Sequence, residues 1–155
     1  MYNTLEELIE SHKNVLKLGL EDEVQDMWIE EAEKYLGFKL PNSYKWFSKK
    51  YEYVFLLGES TKIISSPEDR DLMDVDVTYT YFDYLKKNRF SKDQFVIYEN
   101  SEEIYYLLID ESKEMAEYTV YLKKQWDGQD ELFTVNFVDF LEIMIRFELG
   151  LKPKR

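Results

Sequence analysis

The 155-residue chain contains no cysteine and only one histidine, His12. The absence of cysteine excludes disulfide bonds, thiolate nucleophiles and cysteine-ligated zinc, and one imidazole cannot complete a zinc site of the usual composition. Glycine is also scarce, and the five glycines form no phosphate-binding loop. The sequence therefore predicts neither a metal site nor a cofactor.

Long apolar runs are missing as well. The N-terminal stretch MYNTLEELIE is charged from Glu6 onwards and lacks the apolar region of a signal peptide. The longest apolar runs, such as IYYLLI, are far too short to cross a bilayer. Together with the missing cysteines, these features predict a cytoplasmic protein that has no membrane partner.

Positive charge is in short supply, because 20 basic residues face 32 acidic ones and give a net charge of −12. Such a field repels nucleic acid, whose binding depends on basic residues that neutralise phosphates. It would attract a basic protein partner, although solubility alone also explains an acidic surface. The length and the 45% hydrophobic content fit one domain, residues 1–155.

Two amphipathic helices are predicted in the first part of the chain. The first covers residues 3–18 and begins with a capping box at Thr4. The second follows the acidic residues 21–23 and carries an apolar stripe that includes Val24 and Tyr35.

The stretch YLGFKLPNSYKWF, residues 35–47, is predicted to end the second helix and to begin a third. Gly37 can adopt the left-handed conformation that closes a helix, and Pro41 suits the start of the next one because no N–H is needed there. The apolar residues of this corner are expected to face one core. The complete motif is Leu36, Gly37, Leu40, Pro41, Tyr44 and Phe47.

The later segments are typical of strands. EYVFLL and TKIIS, separated by Gly58, predict a β-hairpin or two short strands. QFVIYE, IYYLLID, YTVYLKK and LFTV predict a meander with an Asp-Gly turn at Asp127. Between these two groups, an acidic stretch leads into residues 77–85, whose spacing favours a helix although the Thr-Tyr alternation also suits a strand. Asn136 is expected to cap a last helix over residues 137–149.

Consecutive strands with short links, and helices segregated from them, predict an α+β fold. N-terminal helices and one C-terminal helix would pack against an antiparallel sheet of about five to six strands.

The corner resembles the signature of the SUKH superfamily, to which the yeast cell-wall-assembly regulators belong. That signature is a helix ending in Leu-Gly, two spacers, Leu-Pro, two more residues, a tyrosine and an aromatic residue three positions later, as in EEAEKYLGFKLPNSYKWF. FVIYE, YYLLID, TVYLK and NFVDFLEIMI follow in the family's order, so the resemblance covers about residues 22–149. The chain departs from the pattern in KKYEYVFLLGES, where the family usually has Asn-Gly.

This resemblance implies a binding protein without catalysis. In bacteria the family consists mostly of immunity proteins, each neutralising a cognate secreted polymorphic toxin, most often a nuclease, inside the producing cell. An acidic surface opposed to the basic groove of a nuclease would fit that role. The eukaryotic members suggest the alternative, a regulatory or scaffold module without a toxin partner.

Three features that resemble catalytic sites are weak. A lone His12 on the polar side of the first helix is a poor candidate for a catalytic base. The paired aspartates of residues 69–76 fail the EF-hand pattern, which needs glycine at Tyr79 and glutamate at Leu85. Glu111-Ser-Lys113 mimics the Glu-x-Lys of metal-dependent nucleases, but it lies in a predicted turn. We therefore expect no enzymatic activity.

Two acidic surfaces are candidates for partner binding, although a merely solvated loop explains the first equally well. The first, the acidic loop, consists of Glu68, Asp69, Asp71, Asp74 and Asp76. The second, the sheet edge, consists of Glu99, Glu102 and Glu103, with Tyr105 and Trp126 as aromatic anchors. For Trp126 the competing interpretation is a partly buried turn residue.

Overall fold

The computed structural model describes residues 2–19, 23–72, 74–126 and 128–153. These residues form the helices and strands α1 (Asn3–Ser11), α2 (Asp26–Leu36), α3 (Asn42–Tyr51), β1 (Phe55–Leu56), β2 (Glu59–Ser60), α4 (Val77–Lys86), β3 (Gln94–Glu99), β4 (Glu103–Leu108), β5 (Thr119–Lys124), β6 (Asp130–Thr134) and α5 (Phe137–Glu148). Short 3-10 turns lie at Arg70–Leu72 and Glu114–Ala116.

The last four strands form an antiparallel meander in the order β3-β4-β5-β6, and β1 pairs with β2 in a separate hairpin. The β3–β4 turn lies at one end of this sheet and the β4–β5 connection at the other. With six residues per strand, these ends are roughly 20 Å apart. The α+β class and the meander are confirmed, with the strands divided between a four-stranded and a two-stranded sheet.

The main core lies between the helices and one face of the meander. Asn136 caps α5 as predicted, because its side-chain oxygen accepts the Asp139 N–H at 2.8 Å. The Phe140 ring of α5 lies 5.2 Å from the Tyr105 ring of β4. Alternate residues of the strands point to the opposite face, where a smaller cluster includes Tyr84 of α4 and Tyr106 of β4.

The corner between α2 and α3 has the predicted form. Gly37 ends α2 with φ +86°, and Pro41 immediately precedes α3. The apolar side chains Leu36, Leu40, Tyr44 and Phe47 are all buried in the main core. Tyr44 also donates its hydroxyl hydrogen to the Lys62 carbonyl at 2.8 Å, which ties α3 to the segment after β2.

The first helix differs from its prediction at both ends. Tyr2, not Thr4, is the N-cap residue, and no side chain caps this end. The helix ends at Ser11 instead of continuing to residue 18, because Leu18 pairs with Val54 in an isolated β-bridge. A tertiary contact therefore overrides the helical periodicity of this segment.

The second helix and the hairpin also differ from their predictions. α2 begins at Asp26, so the buried Val24 precedes it, and residues 21 and 22 lie outside the described residues. Tyr35 is 55% exposed instead of facing the core. β2 lies entirely before the predicted TKIIS, where the structure has only an isolated bridge at Ile63, and the turn predicted at Asp127 lies outside the described residues. Where the family usually has Asn-Gly, Glu52 takes φ +68°.

Candidate protein-binding surface

The structure separates the five carboxylates of the acidic loop into two groups. Four are exposed, whereas Asp76 is 1% exposed. The Asp76 carboxylate accepts the Tyr79 N–H at 2.8 Å and the Ser65 N–H at 2.9 Å. It caps α4 and holds that helix against the segment after β2. Asp76 was predicted to face a partner, but it is buried and has a structural role instead.

A groove of 540 Å³ connects the acidic loop with the sheet edge. We call it the acidic groove, and its carboxylates are Glu59, Asp74, Asp83 and Glu99. Lys62 links the two predicted surfaces, because its Nζ donates to the Asp74 carbonyl oxygen at 3.2 Å and lies 3.2 Å from Glu99 Oε2. Two acidic residues that are 25 positions apart in the sequence, Asp74 and Glu99, thus line one groove.

Three cations, Lys62, Lys87 and Arg89, also line the acidic groove and compensate its four carboxylates in part. Glu99 accepts the Tyr84 hydroxyl hydrogen at 2.5 Å, and burial together with this carboxylate raises the pKa of Tyr84. Asp83 pairs with Lys87 at 3.0 Å. Within the described ranges, Glu59 and Asp74 form no ion pair, so their charges are available to a basic partner.

Trp126 lies beside this groove at the end of the sheet and is 67% exposed. The preceding residue, Gln125, donates its backbone N–H to the Glu102 carbonyl at 2.9 Å and its side-chain N–H to the Asn100 carbonyl at 3.0 Å. The residue that follows β5 therefore lies against the β3–β4 turn. Glu102 and Trp126 consequently share one end of the molecule, and the partly buried interpretation of Trp126 is wrong.

Tyr105, by contrast, is not available as an anchor. It is 3% exposed, and its ring packs against Phe140 in the main core. Its hydroxyl donates to Glu103 at 2.9 Å, and Glu103 pairs with Lys124 at 2.7 Å. Burial, followed by the Glu103 carboxylate, raises the pKa of Tyr105. Burial in the core excludes the anchor role predicted for Tyr105.

Arg70 is a residue of this region that the sequence analysis missed. It lies in the middle of the acidic loop, and its side chain is 8% exposed. The guanidinium carbon lies 5.0 Å from the centroid of the Tyr35 ring, which is also 4.9 Å from the Phe82 ring. A single basic residue within a run of acidic residues was the only sequence signal that pointed to it.

The opposite end of the sheet carries a different cleft, of 730 Å³, between the α2–α3 corner and the β4–β5 connection. Here Glu33 accepts the Leu40 N–H at 2.8 Å and pairs with Lys45 at 3.2 Å. Glu117 accepts both the N–H of Ser43, at 3.0 Å, and its hydroxyl hydrogen, at 2.5 Å. We call this the corner cleft, and Glu111 and Lys113 line it.

His12 and the acidic clusters, which resembled catalytic or metal sites in the sequence, have no such arrangement among the described residues. His12 donates its Nδ1–H to the Leu8 carbonyl at 2.8 Å, directly after α1. In the part of the chain that the structure describes, no group of three or more histidine, aspartate or glutamate side chains is placed to hold a metal ion. None of the described helices combines the length and the apolar character that crossing a membrane requires.

The fold and the corner define an α+β domain of the SUKH type. The chain belongs to the family described as SMI1-KNR4 cell-wall, SUKH_6, which matches residues 26–141. The match includes the corner, the acidic groove and the first part of α5. No curated protein matches the chain.

Proposed function

We propose that this chain is an immunity protein. It binds a cognate toxin in the cytoplasm, a nuclease with a basic substrate-binding groove, and blocks it without catalysis. Membership of the SUKH superfamily supports the class of function. The observation that carries the choice of surface is the convergence of Asp74 and Glu99 in one groove, with Glu59 and Asp83 beside them.

Carboxylates fixed in a groove can substitute for the phosphates that a nuclease binds. The Glu99 carboxylate is held by Lys62 and by the Tyr84 hydroxyl, so its position is set before the partner arrives, and the same lysine holds the Asp74 backbone. Preorganisation of this kind reduces the cost of ordering an interface. Glu102 and the exposed Trp126 extend the same surface, with the indole as an aromatic anchor and the carboxylates providing steering at long range.

A regulatory scaffold that binds several proteins is the second candidate, because the matched family is described as SMI1-KNR4 cell-wall. The two functions differ in stoichiometry and in selectivity. An immunity protein binds one toxin tightly at 1:1, whereas a scaffold retains several unrelated partners. The gene beside this one is the cheapest discriminating observation.

The direct test is co-expression with the toxic domain encoded by the neighbouring gene. The native chain is expected to restore growth, and the double variant E59K/D74K is expected to lose at least about tenfold in affinity. The control E7K/E31K makes the same change in net charge at exposed positions on α1 and α2 and is expected to bind like the native chain. If the native chain does not restore growth, the proposal is wrong.

A further inference from the structure

One nitrogen of the Arg70 guanidinium is buried without an acceptor. Its Nη2 atom has no hydrogen-bond partner among the described residues, although the side chain is 92% removed from solvent. The same residues provide no ion pair for it, and the contact that remains is the stacking of Tyr35 at 5.0 Å. Burial of an unpaired cation costs several kcal/mol, so such groups are rare unless a ligand completes them.

Arg70 lines a groove of 230 Å³ that runs beside α4. Thr78 and Tyr79 at the start of α4 contribute to its wall, and Lys86 lies at its other end. Tyr79 and Asp83 also line the acidic groove, so the two grooves share a wall. A partner that covers the acidic groove therefore reaches the groove of Arg70.

We propose, on the basis of the proposed function, that Arg70 receives a carboxylate of the bound toxin. An arginine fork matches the two oxygens of a carboxylate and forms two parallel hydrogen bonds with it. The Tyr35 ring lies over the guanidinium, whose Nη2 atom has no acceptor in the free protein. Because the Nη2 atom is buried in the free protein, the exposed Tyr35 ring moves aside when the carboxylate enters.

The flanking charges favour a carboxylate over a phosphate. Asp71 and Asp83 line the same small groove, and their negative charges oppose a dianion more than a monoanion. Lys86 is the one other cation in the lining. A single carboxylate on an otherwise basic partner thus pairs with Arg70 while the surrounding partner cations meet Asp74 and Glu99.

Two arginines with similar ring contacts make a matched comparison possible. Arg89 lies 4.8 Å from the Tyr84 ring, much as Arg70 lies over Tyr35. Arg89, however, is exposed and its Nη2 already donates to Gln125 Oε1 at 3.3 Å. Only Arg70 is therefore expected to respond to an added carboxylate.

The first experiment titrates the ¹⁵N-labelled full chain with sodium acetate at constant ionic strength and follows the arginine side-chain Nε–Hε resonances. A saturable shift of Arg70 without one of Arg89 is expected. In the variant R70K, the shift of the Thr78 and Tyr79 backbone amides is expected to disappear. No saturable shift of Arg70, or an equal response to sodium phosphate at pH 7.5, would overturn the assignment.

A stability measurement separates a binding role from a structural one. R70M removes no hydrogen bond within the described chain, so its thermal midpoint is expected to be no lower than that of the native protein. R89M is the control for loss of a stacked arginine. A clear decrease of the midpoint in R70M alone would identify Arg70 as structural and overturn the proposal.

Toxin binding then separates the two proposals. If R70Q binds the toxin as tightly as the native chain while E59K/D74K does not, the carboxylate assignment fails and the immunity function stands. If the native chain binds no neighbouring toxin but the Arg70 resonance still responds to acetate, the immunity function fails and the carboxylate site stands. A loss of at least about tenfold in R70Q supports both.

Discussion

The corner cleft and the acidic groove lie at opposite ends of the meander. They differ in the hydrogen-bond and ion-pair partners of their charged groups. At the corner, Glu33 and Glu117 each accept hydrogen bonds from backbone and side-chain donors of the neighbouring helix or loop. Beside the acidic groove, the Arg70 Nη2 atom has no partner, and Glu59 and Asp74 have no ion pair within the described chain. Glu33 and Glu117 therefore hold the corner together, whereas we propose that Glu59 and Asp74 at the groove serve a partner.

The same contrast appears within the acidic loop itself. Asp74 and Asp76 are the same residue type two positions apart, yet Asp76 is buried with two N–H donors and Asp74 is exposed. Sequence position and charge do not distinguish a carboxylate that stabilises the fold from one that is free to contact a partner. Burial and hydrogen bonding do, and this difference gives the following predictions their order.

The largest effect is expected from alkaline pH, because the pKa of many buried tyrosines is raised and their contributions add. Burial, the main cause, raises the pKa of Tyr51 near the corner and of Tyr84 at the groove, with the Glu10 and Glu99 carboxylates adding to it. The folded chain therefore keeps these protons when the unfolded chain loses them. Each such tyrosine makes its full contribution to the free energy of unfolding below pH 10. Above pH 10 this contribution decreases by up to about 1.4 kcal/mol per pH unit.

Urea denaturation between pH 8 and pH 11 measures this decrease. Tyr84→Phe removes one titrating group at the groove and is expected to make the decrease of the free energy of unfolding shallower. Tyr51→Phe tests the same expectation near the corner. A free energy of unfolding that stays constant from pH 9 to pH 11 would contradict the prediction.

The next effect is a cavity at the corner. Phe47 is 1% exposed and lies 5.7 Å from the Tyr51 ring and 6.0 Å from the Phe137 ring. Phe47→Ala is expected to cost about 3–5 kcal/mol, because the fixed neighbours cannot fill the space. Chemical denaturation gives this number, and Trp126→Ala, a large aromatic truncated at the exposed end, is the control with little expected change. A cost below about 1 kcal/mol would show that the corner is not part of the core.

The third prediction compares the two aspartates directly. Asp76→Ala leaves the half-buried Tyr79 N–H and the buried Ser65 N–H without an acceptor and is expected to cost about 3 kcal/mol. Asp74→Ala is expected to change the free energy of unfolding by less than about 0.5 kcal/mol while weakening the toxin complex. Equal costs for the two variants would remove the distinction between a folding and a binding carboxylate.

The sequence was sufficient for the parts of the fold that depend on local rules. Gly37 and Pro41 fix the corner, Asn136 caps α5, and short apolar runs define the strands β3 and β4 of the meander. The first helix was too long in the prediction, since nothing local shows that Leu18 pairs with Val54. Pairing between distant segments overrides periodicity, and a single sequence does not reveal it.

The candidate surface was harder to predict, because it depends on burial. Charge alone placed Asp76 and Asp74 in one set, and aromatic character alone made Tyr105 an anchor. Whether a side chain faces solvent is decided by the packing of α4 and α5 on the sheet. Arg70 was missed for the same reason, since an unpaired buried atom is visible only when all of its neighbours are known.

The last prediction concerns alanine substitutions at two glycines that follow predicted helices. One substitution loses stability through a steric clash, the other through an unfavourable backbone conformation. A Cβ at Gly19 would lie 2.6 Å from Glu52 Cβ and 2.9 Å from Tyr53 Cδ2, whereas a Cβ at Gly37 would meet nothing within 4 Å. Gly37→Ala therefore costs only the left-handed backbone, roughly 1 kcal/mol. Gly19→Ala forces the chain after α3 to move and is expected to cost about 2 kcal/mol. Urea denaturation of both variants decides the order, and a larger cost at Gly37 would mean that the contact between Gly19 and the chain after α3 gives way easily.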